Sequence, residues 1–262
     1  MLSSLPEIPA AFILRHARTT GKLSSIAPAT VEGMSGTAEV LESRPNPGRG
    51  CLAARTTSGT LCFVYFLTGR SEASRNRVLV RLGNGDVAVQ GRSSGADRDP
   101  LRHYIAAASR GPWVVVGNGD QVVPIADALA YGADLLTAWS THTYEPDAPI
   151  YTTRICLALN TAAVDGGPVI GYARRSARAD HAPDRVIWSL GHVADGSGSL
   201  MTTYDSTGAD VRASSTPQDI RTTSDSVAGV LDEVWSALDP TLRVAAFALD
   251  PSDVDATFTT RQ

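Results

Sequence analysis

Residues 77–92 read RVLVRLGNGDVAVQGR. Two runs of alternating apolar and polar residues flank Asn84-Gly85, a dipeptide that enters the positive-φ region of a tight two-residue turn at little cost. The pattern commits this part of the chain to an antiparallel hairpin. Similar punctuation recurs. Residues 51–55 and 61–67 are apolar runs separated by a turn containing Thr56-Thr57-Ser58-Gly59, a second hairpin entered through Asn46-Pro47-Gly48-Arg49-Gly50. Residues 168–174 and 185–204 carry further strand-like runs interrupted by Asp195-Gly196-Ser197-Gly198-Ser199, and the stretches 242–249 and 255–260 are expected to close the chain as strands.

Two stretches change period. In residues 124–139, Ile125, Ala128, Leu129, Leu135, Leu136 and Trp139 share one helical face, with Pro124 admissible in the first turn. In residues 224–238, Val227, Val230, Leu231, Val234, Trp235 and Leu238 follow helical spacing, and Thr223 or Ser224 is expected to cap the helix. Many antiparallel strands with two amphipathic helices indicate an α+β fold with helices packed on sheet faces. Residues 1–44 lack strong periodicity and are read as an N-terminal extension. No Pro/Ser/Gly linker divides residues 45–262, which are read as a single domain.

A formal net charge of −4 argues against general nucleic-acid binding, which calls for a basic face. No apolar run approaches the ~18 residues that cross a membrane, and no basic segment precedes the short apolar stretch Pro9–Leu14, so a cytoplasmic protein is expected. Cys51, Cys62 and Cys156 are odd in number and widely spaced, the pattern of buried thiols rather than of a disulfide framework or a metal site. The five histidines form no HxH or HExxH, so no metal site is expected; there is no GxSxG and no Cys-His pairing. Lys22 is the only lysine, which removes lysine-based chemistry from the rest of the chain.

What remains is rich in arginine. After the apolar run that ends at Leu67, residues 68–77 read TGRSEASRNR, placing Arg70, Arg75 and Arg77 among Ser71, Glu72, Ser74 and Asn76. Guanidinium groups offer a planar fork of donors suited to phosphate or carboxylate, so this stretch is a candidate wall of an anion pocket; a solvated hairpin edge is the alternative. Arg49, between Gly48 and Gly50, adds a cation where backbone approaches closely. Asn118 and Asp120 follow the apolar run 113–116, at a strand end or in a hairpin turn. Glu145 and Asp147 flank Pro146, with Arg154 beyond, and proline would hold both carboxylates toward one pocket.

In this order, NPGRG, TGRSEASRNR, DPLRHY, GNGDQV and YEPDAPIYTTRI resemble the stand-alone inosine monophosphate (IMP) cyclohydrolase family over about residues 45–160. The resemblance implies a four-layer αββα fold like that of N-terminal-nucleophile hydrolases, without the processed nucleophile and with mostly antiparallel sheets. It implies closure of 5-formamidoimidazole-4-carboxamide ribonucleotide to IMP with loss of water, the last step of purine synthesis, with no metal and no organic cofactor. The partner would be a small-molecule nucleotide, with no nucleic acid and no membrane; homo-oligomers are allowed for. The family pattern would make Arg70 the central cation, Tyr104 an acid or donor, Asn118 a contact to the ring or formyl group, and Glu145 the carboxylate that orients the carboxamide or serves as base. Arg75, Asn76, Arg77 and Arg154 would meet phosphate and ribose, and Arg49, Ser71, Asp120 and Asp147 would complete the substrate contacts. The chain departs from the family pattern within Val116–Val123, at Thr153 and over residues 202–215, where Thr202-Thr203-Tyr204 stands for His-Thr-Tyr, and residues 1–44 are additional to it. Two other functions suit the same residues: a divergent relative acting on a related formylated or amide-bearing nucleotide or specialised metabolite, and a non-catalytic nucleotide-binding protein.

Overall fold

The computed structural model describes residues 31–92, 99, 101–163, 166–178, 181–205, 211–214 and 216–262. In chain order a 3₁₀ turn (Val31–Gly33) and α1 (Thr37–Glu42) precede β1 (Arg49–Arg55), β2 (Leu61–Thr68), α2 (Glu72–Arg75), β3 (Arg77–Arg81), β4 (Val87–Gly91), β5 (Tyr104–Arg110) and β6 (Trp113–Gly117). Then follow α3 (Val122–Ala130), α4 (Leu135–Trp139), β7 (Arg154–Asn160), β8 (Val169–Arg175), β9 (Pro183–Ser189), β10 (Ser197–Thr202) and β11 (Gln218–Arg221). The last elements are α5 (Val227–Ala237), β12 (Arg243–Leu249), α6 (Val254–Thr257) and β13 (Thr259–Arg261).

The strands form two antiparallel sheets. One has six strands in the order β11-β10-β1-β2-β12-β13, the other seven in the order β3-β4-β5-β6-β7-β8-β9. The molecule is therefore a mixed α/β protein with two antiparallel sheets and few helices, as the α+β reading expected. Both expected hairpins are present: Cys51 pairs with Tyr65 across β1–β2, and Val78 with Gln90 across β3–β4. Gly85 takes φ +86° in the turn between them.

Strand alternation divides the buried residues by face. Cys51, Phe63, Tyr65 and Leu67 of the six-stranded sheet pack against Val89, Tyr104, Val116, Ile155, Leu157 and Ile170 of the seven-stranded sheet. The opposite face of the six-stranded sheet, with Leu52, Val64 and Phe66, is covered by Val40 and Leu41 of α1 and by Val230, Leu231 and Val234 of α5. The outer face of the seven-stranded sheet, with Val115, Cys156 and Ala158, is covered by Ile125, Ala126 and Leu129 of α3 and by Trp139 of α4. Each fully buried side chain of this size contributes about 2 kcal/mol from removal of apolar surface from water. At the edge of the seven-stranded sheet, the Gln262 carboxamide accepts from the Leu79 N–H and donates to the Leu79 carbonyl, both at 3.2 Å.

Several boundaries differ from the sequence reading. Residues 124–139 are two helices rather than one, broken where Gly132 takes φ +91°; Leu136, expected on the buried face, is 74% exposed as a result. The cap of α5 is Ser226, whose hydroxyl accepts from the Gly229 N–H; Thr223 and Ser224 instead bond the Glu233 carboxylate. Residues 255–260 are not one strand: α6 occupies part of them before β13 begins. The Gly117–Asp120 string leads from β6 into α3 rather than into a hairpin. Among the described residues no helix is long and apolar enough to cross a membrane.

Candidate active site

A cleft of about 660 Å³ opens at one end of the two sheets. Its lining comes from five places in the chain: Asn46, Gly48 and Arg49 at the entrance to β1; Thr68 through Ser71, Ser74 and Arg77 around α2; Asp99, Leu101 and Arg102 ahead of β5; Glu145 and Asp147 ahead of β7; and Tyr204 after β10. Local sequence explains the convergence. Each strand stops at a polar or glycine-containing segment, and antiparallel order brings the ends of β2, β10 and the starts of β1, β5 and β7 to the same edge.

Arg49 and Glu145 form the buried end of the cleft. The Arg49 Nη2 donates to Glu145 Oε1 at 2.5 Å, with Arg49 8% and Glu145 2% exposed. Backbone bonds hold both. The Thr203 hydroxyl accepts from the Arg49 N–H at 3.0 Å, the Thr203 N–H donates to the Arg49 carbonyl at 2.8 Å, and the Glu145 N–H donates to the Thr152 carbonyl at 2.9 Å. Burial pushes the Glu145 carboxyl above the usual carboxylate range, against the pull of Arg49. Arg49 remains a cation: burial alone would weaken it, but Glu145 and the hydroxyls of Tyr104, Tyr204 and Tyr65 hold it protonated. Among the described residues its Nε is buried with no partner, a donor left over beside the cleft.

Asp147 turns toward the same segment, accepting from the Thr152 N–H at 2.7 Å and from the Thr152 hydroxyl at 2.5 Å. The Tyr204 hydroxyl lies 3.2 Å from that of Thr152. Between Asp147 and Thr152, Tyr151 adopts φ +53°, a left-handed conformation that costs a non-glycine residue of order 1 kcal/mol. The Arg175 guanidinium sits over its ring at 4.1 Å. Further back, Arg44 donates to the Thr202 hydroxyl at 3.0 Å and pairs with Asp205 at 3.1 Å, bracing the strand end that carries Thr203 and Tyr204.

On the opposite wall, Ser71 and Ser74 close a capping box on α2. Arg77 is spent on carbonyls: Nε donates to Ser74 at 2.7 Å and Nη2 to Thr68 at 3.0 Å. Arg70 is exposed and makes no hydrogen bond or ion pair among the described residues. Arg102 pairs with Asp99 at 2.8 Å.

Of the residues singled out from sequence, Arg49, Arg70, Ser71, Arg77, Glu145 and Asp147 line the cleft. Arg75 and Asn76 are exposed and do not. Asn118 is fully buried outside the lining: its Oδ1 accepts from the Ile155 N–H at 2.7 Å and from Gln121 at 3.1 Å, and its Nδ2 donates to the Thr153 carbonyl at 3.0 Å. It stitches β6 to β7. Asp120 and Arg154 form an ion pair with each other, also off the lining. Tyr104 lies behind the lining, its hydroxyl 2.6 Å from that of Tyr65. Asn46, Thr68, Asp99, Leu101, Arg102 and Tyr204 line the cleft without having been singled out. Most sit in or beside the same short strings, but nothing in their residue types marks them from their neighbours. The three cysteines are free and buried, and burial pushes the Cys156 thiol up to about 12.

A family model described as "IMP cyclohydrolase-like protein" matches residues 46–253, most of the chain. The comparison with curated proteins gives no match.

Proposed function

The chain belongs to the IMP cyclohydrolase-like family, and from that premise we propose that it closes 5-formamidoimidazole-4-carboxamide ribonucleotide to IMP with loss of water, as a cytoplasmic enzyme of purine synthesis. The buried Arg49–Glu145 pair at the closed end of an arginine-rimmed cleft carries the reading. On the same reading, the two facing sheets with helices on both outer sides are the four-layer αββα arrangement of N-terminal-nucleophile hydrolases, without a processed nucleophile.

The substrate supplies both reacting groups, so the chain's task is to align, to move protons and to stabilise charge. Alignment of the carboxamide nitrogen with the formyl carbon lowers the barrier by several kcal/mol. Glu145 accepts the amide proton as the C–N bond forms; its burial keeps the carboxylate poorly solvated and more basic than usual. The formyl oxygen takes up negative charge, and the unspent Nε of Arg49 offers it a donor, worth about 3 kcal/mol when aimed there. Glu145 passes that proton on to the alkoxide, Tyr104 supplies the second proton with which the resulting hydroxyl leaves as water, and the former formamide N–H, lost as the ring C=N forms, returns a proton to Tyr104. Arg70 and Ser71, on the exposed rim, are placed for the phosphate, and Asp147 and Tyr204 for the ribose.

Incubation of the purified protein with the formamido nucleotide, followed by IMP absorbance, tests this. Turnover well above the uncatalysed rate is expected, and a rate equal to the uncatalysed one overturns it. A second reading, a related formylated nucleotide as substrate, rests on the departure from the family pattern at Thr202, which is buried and donates to the carbonyl of the lining residue Tyr204 at 2.9 Å. Turnover of such a nucleotide with none of the formamido compound would select it.

A further inference from the structure

We infer that Tyr65 is a positioning residue that fixes the hydroxyl of Tyr104 as a proton donor; the inference rests on the ring-closing reading for the role of Tyr104. The two side chains come from facing sheets, Tyr65 from β2 and Tyr104 from the first position of β5, and their oxygens are 2.6 Å apart. Tyr65 is fully buried, its ring packed at 5.5 Å from Phe247. Among the described residues the Tyr104 oxygen is the only hydrogen-bond partner of its hydroxyl. A buried hydroxyl with one acceptor in reach gives its proton to that acceptor. Either oxygen can donate in this bond; in the arrangement inferred here Tyr65, wholly closed off from solvent, donates, and Tyr104, 6% exposed, receives.

That order leaves the Tyr104 proton unspent. Tyr104 is 6% exposed and lies in the field of Arg49, behind the lining of the cleft. A hydroxyl that accepts a hydrogen bond becomes a stronger donor through its own proton. When Tyr104 protonates the departing oxygen, the charge left on its ring oxygen meets two stabilisers, the Tyr65 O–H and the Arg49 cation. Tyr65 itself holds its proton, since burial and the neighbouring Tyr104 push its ionisation up.

The test compares Tyr65→Phe, Tyr104→Phe and the double variant, with phenylalanine keeping the shape of the core. Tyr65→Phe is expected to lower kcat about tenfold, the weight of one charge-assisted hydrogen bond, with KM changed less than about twofold. Added to Tyr104→Phe, it is expected to lower kcat no further; equal losses in both backgrounds overturn the inference. A second measurement needs no turnover. The tyrosinate absorbance step that Tyr104→Phe removes is expected to move to higher pH in Tyr65→Phe, and an unmoved step overturns the inference. Absence of turnover in the wild-type protein would refute the ring-closing reading alone, and the absorbance titration then decides the Tyr65–Tyr104 pairing by itself.

Discussion

Glu145 is a carboxylate in a place that disfavours carboxylates. With 2% exposure it has lost nearly all its water, and Arg49 at 2.5 Å returns only part of the lost stabilisation. In its proposed role as base Glu145 must be ionised to act, so activity is expected to fall as pH drops through a value above the ordinary glutamate range of about 4.3. The acidic limb of kcat/KM checks this, and Arg49→Met should move that limb higher still by removing the cation that favours ionisation. The stability sign is the reverse of the common one. A carboxyl whose folded pKa is raised costs stability when ionised, and that cost is relieved as pH falls through the folded value. Glu145→Gln keeps the shape and removes the base; a loss of about a hundredfold or more in kcat is expected from single-turnover rates.

At the scale of elements, α4 precedes the acidic segment in the chain. Trp139, its last residue, lies over Gly171 of β8, where an added Cβ would sit 2.0 Å from the indole. Gly171→Ala is thus expected to lift α4 and to cost about 1–3 kcal/mol by overpacking. A lower Tm together with a lower kcat in one variant would show that α4 seats the Glu145–Asp147 segment; a lower Tm with unchanged kcat would show that it does not. The strands were legible because alternation and Asn-Gly turns act locally, as Val78–Val89 shows. The helix break at Gly132 was not, because the spacing of Leu135 and Trp139 continues the face of α3 and hides the turn. The rim arginines were legible as a cluster, yet their fates were not. Arg70 and Arg77 differ in what their guanidinium groups meet, which depends on carbonyls freed at the end of β2 and in α2. Asn118 looked like a site residue, but a polar side chain at a strand end serves equally to tie the next strand, and here Ile155 and Thr153 claim it.

For the molecule as a whole, the Arg49–Glu145 pair spans its two halves: Arg49 opens β1 of one sheet, and Glu145 lies in the segment that enters β7 of the other. Removing one partner strands a buried charge. Glu145→Ala is expected to cost about 3–5 kcal/mol, seen as a fall in Tm of roughly 10 °C. Arg49→Met with Glu145→Leu fills the same space without charge and should recover most of that loss while remaining inactive. Recovery of stability without recovery of turnover would show that the pair is kept for chemistry rather than for folding. Arg44 carries a practical corollary. It lies just ahead of the family-matched span, yet it braces Thr202 and Asp205 from within the folded body. Trimming the polypeptide to that span would spare every residue that lines the cleft and still knock out the peg behind Tyr204, together with α1 and β13. Calorimetry on such a shortened preparation should register looser nucleotide capture, a reminder that the borders of a family are drawn by shared ancestry and those of a working protein by what its side chains lean on.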